Sequence, residues 1–449
     1  MAEQTKKNTP VVETPVSRRT VVKGAAALGA AATVSAPAVS ALASSKKSTL
    51  EVGRFLQTGP VEITYGTWFW NEQGRADAWR FLIDKFHSEQ SDIKIKEGGA
   101  AFDDYTNDVI TQLQANGNVD FDIIQTTPDL VLQLLSAGIL TPLGSVLTDN
   151  NITTLSPSHN YITVDGQPMG LDVVTVRFGL FYNKAITDAA GITSYPTTVD
   201  DWLKMSTDLT DRPNKFGMYS PHVMSIADSF WFTLQEWACP YGGTWATGKT
   251  PNLTTEPIMN AIQLFKNFYD ATFPQGSDDA TATRQWGANQ IAQQLIVSAA
   301  VNVYKASAPD LYPNIRSAVL PWASKQTISR IHPITVNNTS KNADAGVEFI
   351  TWLYKPENYR LLLTKQLDVI PSYDVGGLED YFKDLLWLDG LQDVTPITPP
   401  EIVGDFIFKN QEFGQIVLTH VQDVLTGNAS VEDAMTAAQS EAEDLAANM

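Results

Sequence analysis

Between residues 61 and 137 the apolar residues switch repeatedly between two periods, and this alternation limits the possible folds more than any other feature of the chain. Residues 61–70 (VEITYGTWFW) are β-branched and aromatic, as a strand requires. Residues 75–90 then place Trp79, Leu82, Ile83 and Phe86 at helical spacing. Residues 92–96 (DIKIK) alternate as a second strand, and 102–116 carry Tyr105, Val109, Ile110 and Leu113 on one helical face. Residues 121–125 (FDIIQ) read as a short buried strand, and 130–137 as a helix stopped by Gly138. This β-α-β-α-β-α order predicts an α/β fold with a mainly parallel sheet covered on both faces.

The pattern continues less regularly. Residues 173–183 (VVTVRFGLFYN) read as a strand pair or one long strand. Thr198-Val199-Asp200-Asp201 is a capping box opening a helix that runs through Leu209, and Ser430-Val431-Glu432-Asp433 opens an Ala-rich terminal helix. Residues 258–271, 290–296 and 345–354 read as helical, and 299–304 (AAVNVY) as extended. Pro356 suits the first turn of a further helix reaching about Lys365.

Composition narrows the function. With 43% hydrophobic and 18% charged residues, a 449-residue chain has ample material for a large core, and it is neither a disordered tail nor a coiled coil. Asp and Glu total 50 against 31 Lys and Arg, a net charge of −19. Nucleic acid is therefore not expected as a partner, since phosphate contacts need a basic surface. Docking to anionic lipid is disfavoured for the same reason. The single cysteine, Cys239, excludes an intramolecular disulfide and reads as a buried structural thiol. The five histidines are scattered, and neither H-E-x-x-H, G-x-S-x-G nor a P-loop occurs. No catalytic, metal-binding or cofactor-binding residue is assigned, and the chain is not expected to be an enzyme. A glycoside hydrolase would need two carboxylates at a set separation, and no segment singles out such a pair.

The N-terminus reads as an address. Ser17-Arg18-Arg19-Thr20-Val21-Val22-Lys23 resembles the twin-arginine export pattern, with Val21 and Val22 at its two apolar positions. A weakly hydrophobic Ala/Gly-rich stretch follows, and Ala41-Leu42-Ala43 supplies small residues for cleavage before Ser44. An uncut anchor is the alternative, but Ala, Gly, Ser and Pro dominate that stretch. Cleavage would remove five basic residues and two acidic ones, taking the net charge from −19 to −22. No cysteine stands at the cleavage site, so no lipid anchor is expected. A freely soluble exported protein is retained by an outer membrane, which points to a periplasm.

A family resemblance runs through the rest in order. Ala137-Gly138-Ile139-Leu140-Thr141-Pro142-Leu143, then Gly166-Gln167-Pro168-Met169-Gly170-Leu171 leading to Leu180-Phe181-Tyr182-Asn183-Lys184, resemble motifs of the extracellular solute-binding proteins of family 1. These are the maltose-binding-protein-like receptors of ABC sugar importers. Ala190-Gly191-Ile192, Tyr195-Pro196-Thr197-Thr198-Val199-Asp200-Asp201-Trp202, Lys355-Pro356-Glu357-Asn358-Tyr359, Ile370-Pro371-Ser372 and Val424-Leu425-Thr426-Gly427 continue the likeness. It departs at Met169, where the family usually has Tyr, and at Asp172, where Pro is common. The resemblance implies a bilobed periplasmic-binding-protein fold of type II, two α/β lobes around a central ligand cleft. It implies one lobe from 44–170 plus about 325–375, and a second, mostly helical, from about 171–324 plus 376–449. It also implies a monomer that takes a sugar or polyol and docks on the membrane permease of an ABC importer. A polyamine or sugar acid is the alternative ligand.

A sugar offers apolar C–H faces and hydroxyl edges, so its receptor needs aromatic plates and polar rims. Ligands in open α/β sheets lie beyond the carboxyl ends of strands. That rule selects Trp70 and Asn71 at the end of the first strand, and Thr126 and Asp129 after the third, while Trp68 is singled out for lying near the same element end. Asp129 reads equally as a helix N-cap. Asp172 stands within the likeness, and Trp231, Trp286 and Trp322 lie near element ends or in loops, whereas Trp79, Trp202 and Trp352 read as core. The resemblance adds Tyr304, after the 299–304 segment, and Phe413, near a late cleft aromatic. Arg330 and His332 are candidate donors, or alternatively a surface ion pair and a solvent histidine.

Overall fold

Thirteen consecutive residues, Leu171–Asn183, form one strand; eight of them are aliphatic or aromatic, and eleven of the thirteen are buried. The computed structural model describes residues 59–72, 75–322, 326–366, 370–392, 395–397, 403–406 and 408–449. The export signal and its cleavage site lie outside these residues.

The first half follows the expected alternation. Strand β1 (Val61–Gly66), helix α1 (Arg75–Glu89), β2 (Ile93–Gly98), α2 (Phe102–Asn116), β3 (Ile123–Gln125) and α3 (Pro128–Ser136) follow in order. β1 pairs in parallel with β2 and β3. The β1 strand is shorter than expected: it ends at Gly66, and the chain turns through a 3-10 helix at Phe69–Asn71. Gly99 permits that turn. Its φ is +107°, and a Cβ there would lie 2.4 Å from the Thr67 carbonyl oxygen.

The long strand is β4 (Leu171–Asn183). Helices α4 (Val199–Asp208), α5 (Ala227–Glu236), α6 (Glu256–Thr272) and α7 (Asp279–Gly287) follow, then strand β5 (Gln293–Val297) and helix α8 (Ala300–Ser307). The expectation is thus reversed on both sides of Ser298. Residues 290–296 contain the strand, because they are buried on both faces beside β4. Residues 299–304 are helical, with Val301 and Tyr304 buried at a spacing of three.

Strands β6 (Ile315–Ala318) and β7 (Gln326–Val336) precede helices α9 (Ala343–Leu353) and α10 (Pro356–Gln366). A short strand, β8 (Thr395–Ile397), is followed by α11 (Asn410–Thr426) and α12 (Val431–Ala447). The sheet runs β6-β4-β7-β3-β1-β2, with β5 also on β4 and β8 on β7. It is parallel among β1, β2 and β3 and antiparallel where β7 meets β3 and β4, and where β4 meets β5 and β6. The expected parallel sheet therefore holds for the first three strands, and the sheet as a whole is mixed.

β4 and β7 join the two groups of strands. Residues 171–172 of β4 face the β3 end of β7, and residues 178–183 carry β5 and β6. Around β1–β3, Phe86, Phe349 and Trp352 pack together, Trp79 packs against Tyr65 and Phe69, and the Trp79 indole donates to Gln366 at 3.0 Å. Around β5, Trp202 stacks on Trp237 and donates to Gln293 at 3.0 Å. Trp79, Trp202 and Trp352 are core residues, as their helical spacing implies. Among the described residues, no helix is long and apolar enough to cross a membrane.

Candidate functional site

Among the described residues, two cavities stand out as large enough for a small solute. One, of about 740 Å³, lies between residues 182–197 and 317–322, so its walls come only from the β6 side of the crossing strands. The other, of about 370 Å³, has walls from both strand groups and its floor on the crossing strands themselves. Of the two, this second cavity is lined by both groups, and its size falls in the ordinary range for ligand sites.

Its floor is Val176 of β4 with Arg330 and His332 of β7. One wall holds Trp68, Glu72, Arg75 and Phe102, from the chain just beyond β1 and β2. This is where the strand-end rule places a ligand. The opposite wall comes from α5 (Asp228, Ser229, Phe232, Thr233), from Tyr219, from α7 (Asp279, Thr283), and from Gln294 and Tyr304. The site thus combines flat rings with a mixed polar rim.

The formal charges in the cavity are held by one another. Arg75 pairs with Glu72 at 2.5 Å, and Arg330 contacts Asp228 at 3.4 Å. The Tyr219 hydroxyl donates to Asp279 at 2.7 Å. Two arginines against three carboxylates leave one negative charge, and a hydroxyl already satisfies one oxygen of that third carboxylate. Burial drives the His332 ring well below its ordinary pKa, with the Arg330 and Arg75 charges adding to the effect, so the ring is neutral. Its Nδ1 lies 3.2 Å from the Val174 carbonyl, which assigns the proton to Nδ1 and leaves Nε2 as an acceptor. Gln294 accepts the Tyr304 hydroxyl at 2.9 Å on Oε1, and its Nε2 is buried without a partner among the described residues. An unsatisfied buried donor of this kind is unusual and suits a site that receives an acceptor.

Of the residues singled out in the sequence, Trp68, Tyr304, Arg330 and His332 line this cavity. Trp286 stands one layer behind, stacked on Tyr304 at 5.9 Å. The others lie elsewhere. Trp70 donates to the Tyr65 carbonyl at 3.2 Å, and Asn71 is exposed. Thr126 is buried and donates to the Pro333 carbonyl at 2.8 Å. Asp129 accepts from Thr127, and Thr127 rather than Asp129 is the N-cap of α3. Trp231 packs against Trp245, Phe413 and the backbone of Gly414, where a Cβ would come within 2.8 Å of the indole. Phe413 is fully buried in that same cluster. Trp322 donates to Glu236 at 2.8 Å, and Asp172 is buried between β4 and β7. These aromatics are drawn inward because each buries a large apolar area in the core.

Sequence reasoning missed Arg75, Phe102, Tyr219, Asp228 and Phe232 as cavity residues. Arg75 and Phe102 open helices directly beyond strands, so the strand-end rule could have reached them. Asp228 and Phe232 are one helical turn apart at the start of α5, but no local signal distinguishes that face from a core face.

Comparisons with known proteins agree with this geometry. The sequence profile of the bacterial extracellular solute-binding proteins matches residues 70–360. Among solved structures, the chain is similar to the cyclic α-maltosyl-1,6-maltose binding protein from Arthrobacter globiformis, with a TM-score of 0.68 at 21% identity. That match covers 87% of this chain and 100% of the other. An ABC transporter solute-binding protein from Thermotoga lettingae bound with α-D-tagatose matches with a TM-score of 0.70 at 18% identity, covering 86% and 100%. One from Agrobacterium vitis with bound D-mannitol matches at 0.70 and 16%, covering 86% and 98%. The shared architecture is two α/β lobes around a central cleft.

Proposed function

The chain belongs to the bacterial extracellular solute-binding proteins, and on that premise we propose that it captures a carbohydrate for an ABC importer. The ligand is a mono- or oligosaccharide or a polyol, held by hinge closure of two lobes. The observation that carries this reading is a cavity with aromatic walls whose formal charges already have partners. Trp68, Phe232 and Tyr304 offer apolar surface to C–H faces. Arg330, His332 Nε2, Gln294 Nε2 and the Asp279 carboxylate offer donors and acceptors to hydroxyls. A sugar acid would have to displace an internal ion pair to find its counter-charge, and a polyamine would find a single spare carboxylate, Asp279, which already holds the Tyr219 hydroxyl, so a neutral ligand is favoured. The related structures that hold tagatose and mannitol point the same way.

The lobes divide along the crossing strands. One lobe comprises the chain up to the middle of β4 together with β7 from its middle to about residue 375, since Ser372 bonds to Tyr359 and Tyr373 to the Tyr354 carbonyl. The other comprises the remainder, including α11 and α12. A ligand touching both walls stabilises the closed form, because only that form makes both sets of contacts. The closed form docks on the permease, and other subunits hydrolyse ATP. The protein acts as a monomer without enzymatic activity, lipid anchor or nucleic-acid partner. It is exported by the twin-arginine route, cut after Ala43 and held in a periplasm.

The test is a thermal-shift screen of the chain from Ser44 against sugars, polyols, sugar acids and polyamines. A ligand at a hundredfold excess over its dissociation constant stabilises the folded state by about 2.7 kcal/mol. A selective shift with a neutral sugar or polyol, with a change in Trp fluorescence, is the expected result. A shift with polyamines or sugar acids alone would overturn the ligand class. Turnover of a glycan would overturn the receptor reading.

A further inference from the structure

Two carboxylates, one on β4 and one at the end of α5, are buried against the crossing strands, outside the cavity lining. Asp172 sits at the start of β4. It accepts the His332 backbone N–H at 2.8 Å, the Val174 N–H at 3.1 Å and the Thr175 hydroxyl. Glu236 ends α5. It accepts the Trp322 indole at 2.8 Å and the Ile328 backbone N–H at 2.7 Å, and the Thr327 hydroxyl lies 3.3 Å away. Both carboxylates therefore hold β7, one at His332 and the other at Ile328.

Between those two points β7 changes allegiance. On the Ile328 side it pairs with β8, and on the His332 side it reaches β3. The register with β4 slips between Ile331 and Pro333, and Pro333 has no N–H to give to a ladder. The same stretch supplies Arg330 and His332 to the cavity floor. Helix α5 links the two sites: Asp228 and Phe232 face the cavity near its start, and Glu236 grips β7 at its end. Eight residues of helix make a rigid connection of about 12 Å.

We propose that Asp172 and Glu236 are positioning residues that fix the two ends of the hinge and confine closure to Ile328–His332 and the facing residues of β4. A ligand that draws α5 inward then pulls β7 through Glu236, while Asp172 keeps the far end on the first lobe. Burying a carboxylate costs several kcal/mol even when it is hydrogen-bonded. An apolar pair would stabilise such a position better, so two of them at matching places favour a role in geometry. The burial that drives the Asp172 carboxyl up to about 6 and Glu236 up to about 8 is consistent with that cost. The proposal rests on the two-lobed fold and needs no particular ligand.

The experiment is a distance measurement by double electron–electron resonance, with spin labels at Lys96→Cys on β2 and Lys204→Cys on α4. Both lysines are exposed, and the chain's single native cysteine is buried and leaves labelling to the new sites. No solute is added. The parent should give a narrow distance distribution, and D172N and E236Q should each broaden it. L418A, a core truncation in α11, should lower the melting temperature without broadening. If E236Q fails to fold, W322F removes one donor to Glu236 and keeps the carboxylate, and the same broadening is expected to a smaller extent. Unchanged distributions in the clamp variants would overturn the proposal, as would equal broadening in L418A. A parent that responds to no sugar would count against the receptor reading and leave this result standing.

Discussion

Arg330 lies over Phe232, its guanidinium carbon 4.3 Å from the ring centre, with two of its nitrogens 3.4 and 3.5 Å from the Asp228 carboxylate. The strand residue is thus held against the helix that forms the opposite wall of the cavity. Asp228 is more than half exposed, so the ion pair itself adds little stability. The arrangement instead fixes the direction of the guanidinium donors.

Replacing this side chain should therefore affect binding more than folding. R330A should weaken the sugar identified by thermal shift by about 10- to 100-fold, the range for losing hydrogen bonds from a charged donor. The melting temperature without ligand should change little. R330K should fall between the two, because it keeps the charge and loses the fork. Isothermal titration calorimetry reads all three.

Tyr304 contributes a ring and a hydroxyl that can be separated. Y304F keeps the stacking on Trp286 and loses the bond to Gln294, at a cost of about 1 kcal/mol. Y304A also removes the ring and should cost about 3–5 kcal/mol, as large aromatic truncations do. Urea denaturation measures both. A Y304A protein as stable as Y304F would show that the ring is not part of the packed wall.

The buried carboxylates make stability depend on pH in a definite direction. Glu236 titrates at about 8 in the folded protein against 4.5 when unperturbed, so the folded state keeps a proton that the unfolded chain releases. Stability from this group is full below 4.5 and declines as pH rises towards 8. Asp172 acts in the same sense between 3.8 and about 6. His159 and His222, pushed down to about 4 by burial, act oppositely between there and 6.5. These contributions offset one another in acid, and of these groups only Glu236 remains above 6.5. The melting temperature should fall from pH 6.5 to 8, and E236Q should flatten that fall. An unchanged slope in E236Q would refute the assignment.

Besides Thr127 on α3, two further helix starts are held by hydroxyl caps. Thr198 accepts from the Asp201 N–H at 3.2 Å and Ser430 from the Asp433 N–H at 3.1 Å. T198A and S430A should each cost about 1 kcal/mol in chemical denaturation. The sites lie on separate helices and share no partner, so the double variant should show the sum.

Export should depend on the arginine pair. Changing Arg18 and Arg19 together to Lys should leave full-length precursor inside the cell, whereas the parent should appear outside the cytoplasm with Ser44 as its first residue. Edman sequencing or intact mass of the exported chain decides between this and an uncut anchor.

The sequence made some parts of this molecule readable and hid others for physical reasons. The helix carrying Trp79, Leu82, Ile83 and Phe86 was legible because one face is wet and the other dry. The strand at Gln293–Val297 was not, because all but one of its residues are buried and a run dry on both faces has no period. Tyr304 was found through the family likeness even though its segment is helical rather than extended. Asp172 was read as a ligand contact from its place in the family likeness, and Trp322 because an aromatic near an element end suits a cleft. Their hydrogen bonds instead run to the crossing strand and to Glu236, partners 160 and 86 residues distant in the chain. Contacts of that range leave no local trace. Arg330 and His332 were legible as donors, but their place on the cavity floor depends on β7 returning to β4.

That return has a consequence for the order in which the molecule can be made. β7 lies between β3 and β4 in the sheet, yet it ends at Val336, about 150 residues after β4 ends at Asn183. During synthesis the gap between β3 and β4 has to wait for that strand, roughly 10–30 s at ~5–20 residues per second. Until then both neighbours present unpaired edges, the surface on which nascent chains aggregate. Neither half can finish as an independent unit on the ribosome, so the chain reaches its native sheet late and by long-range closure.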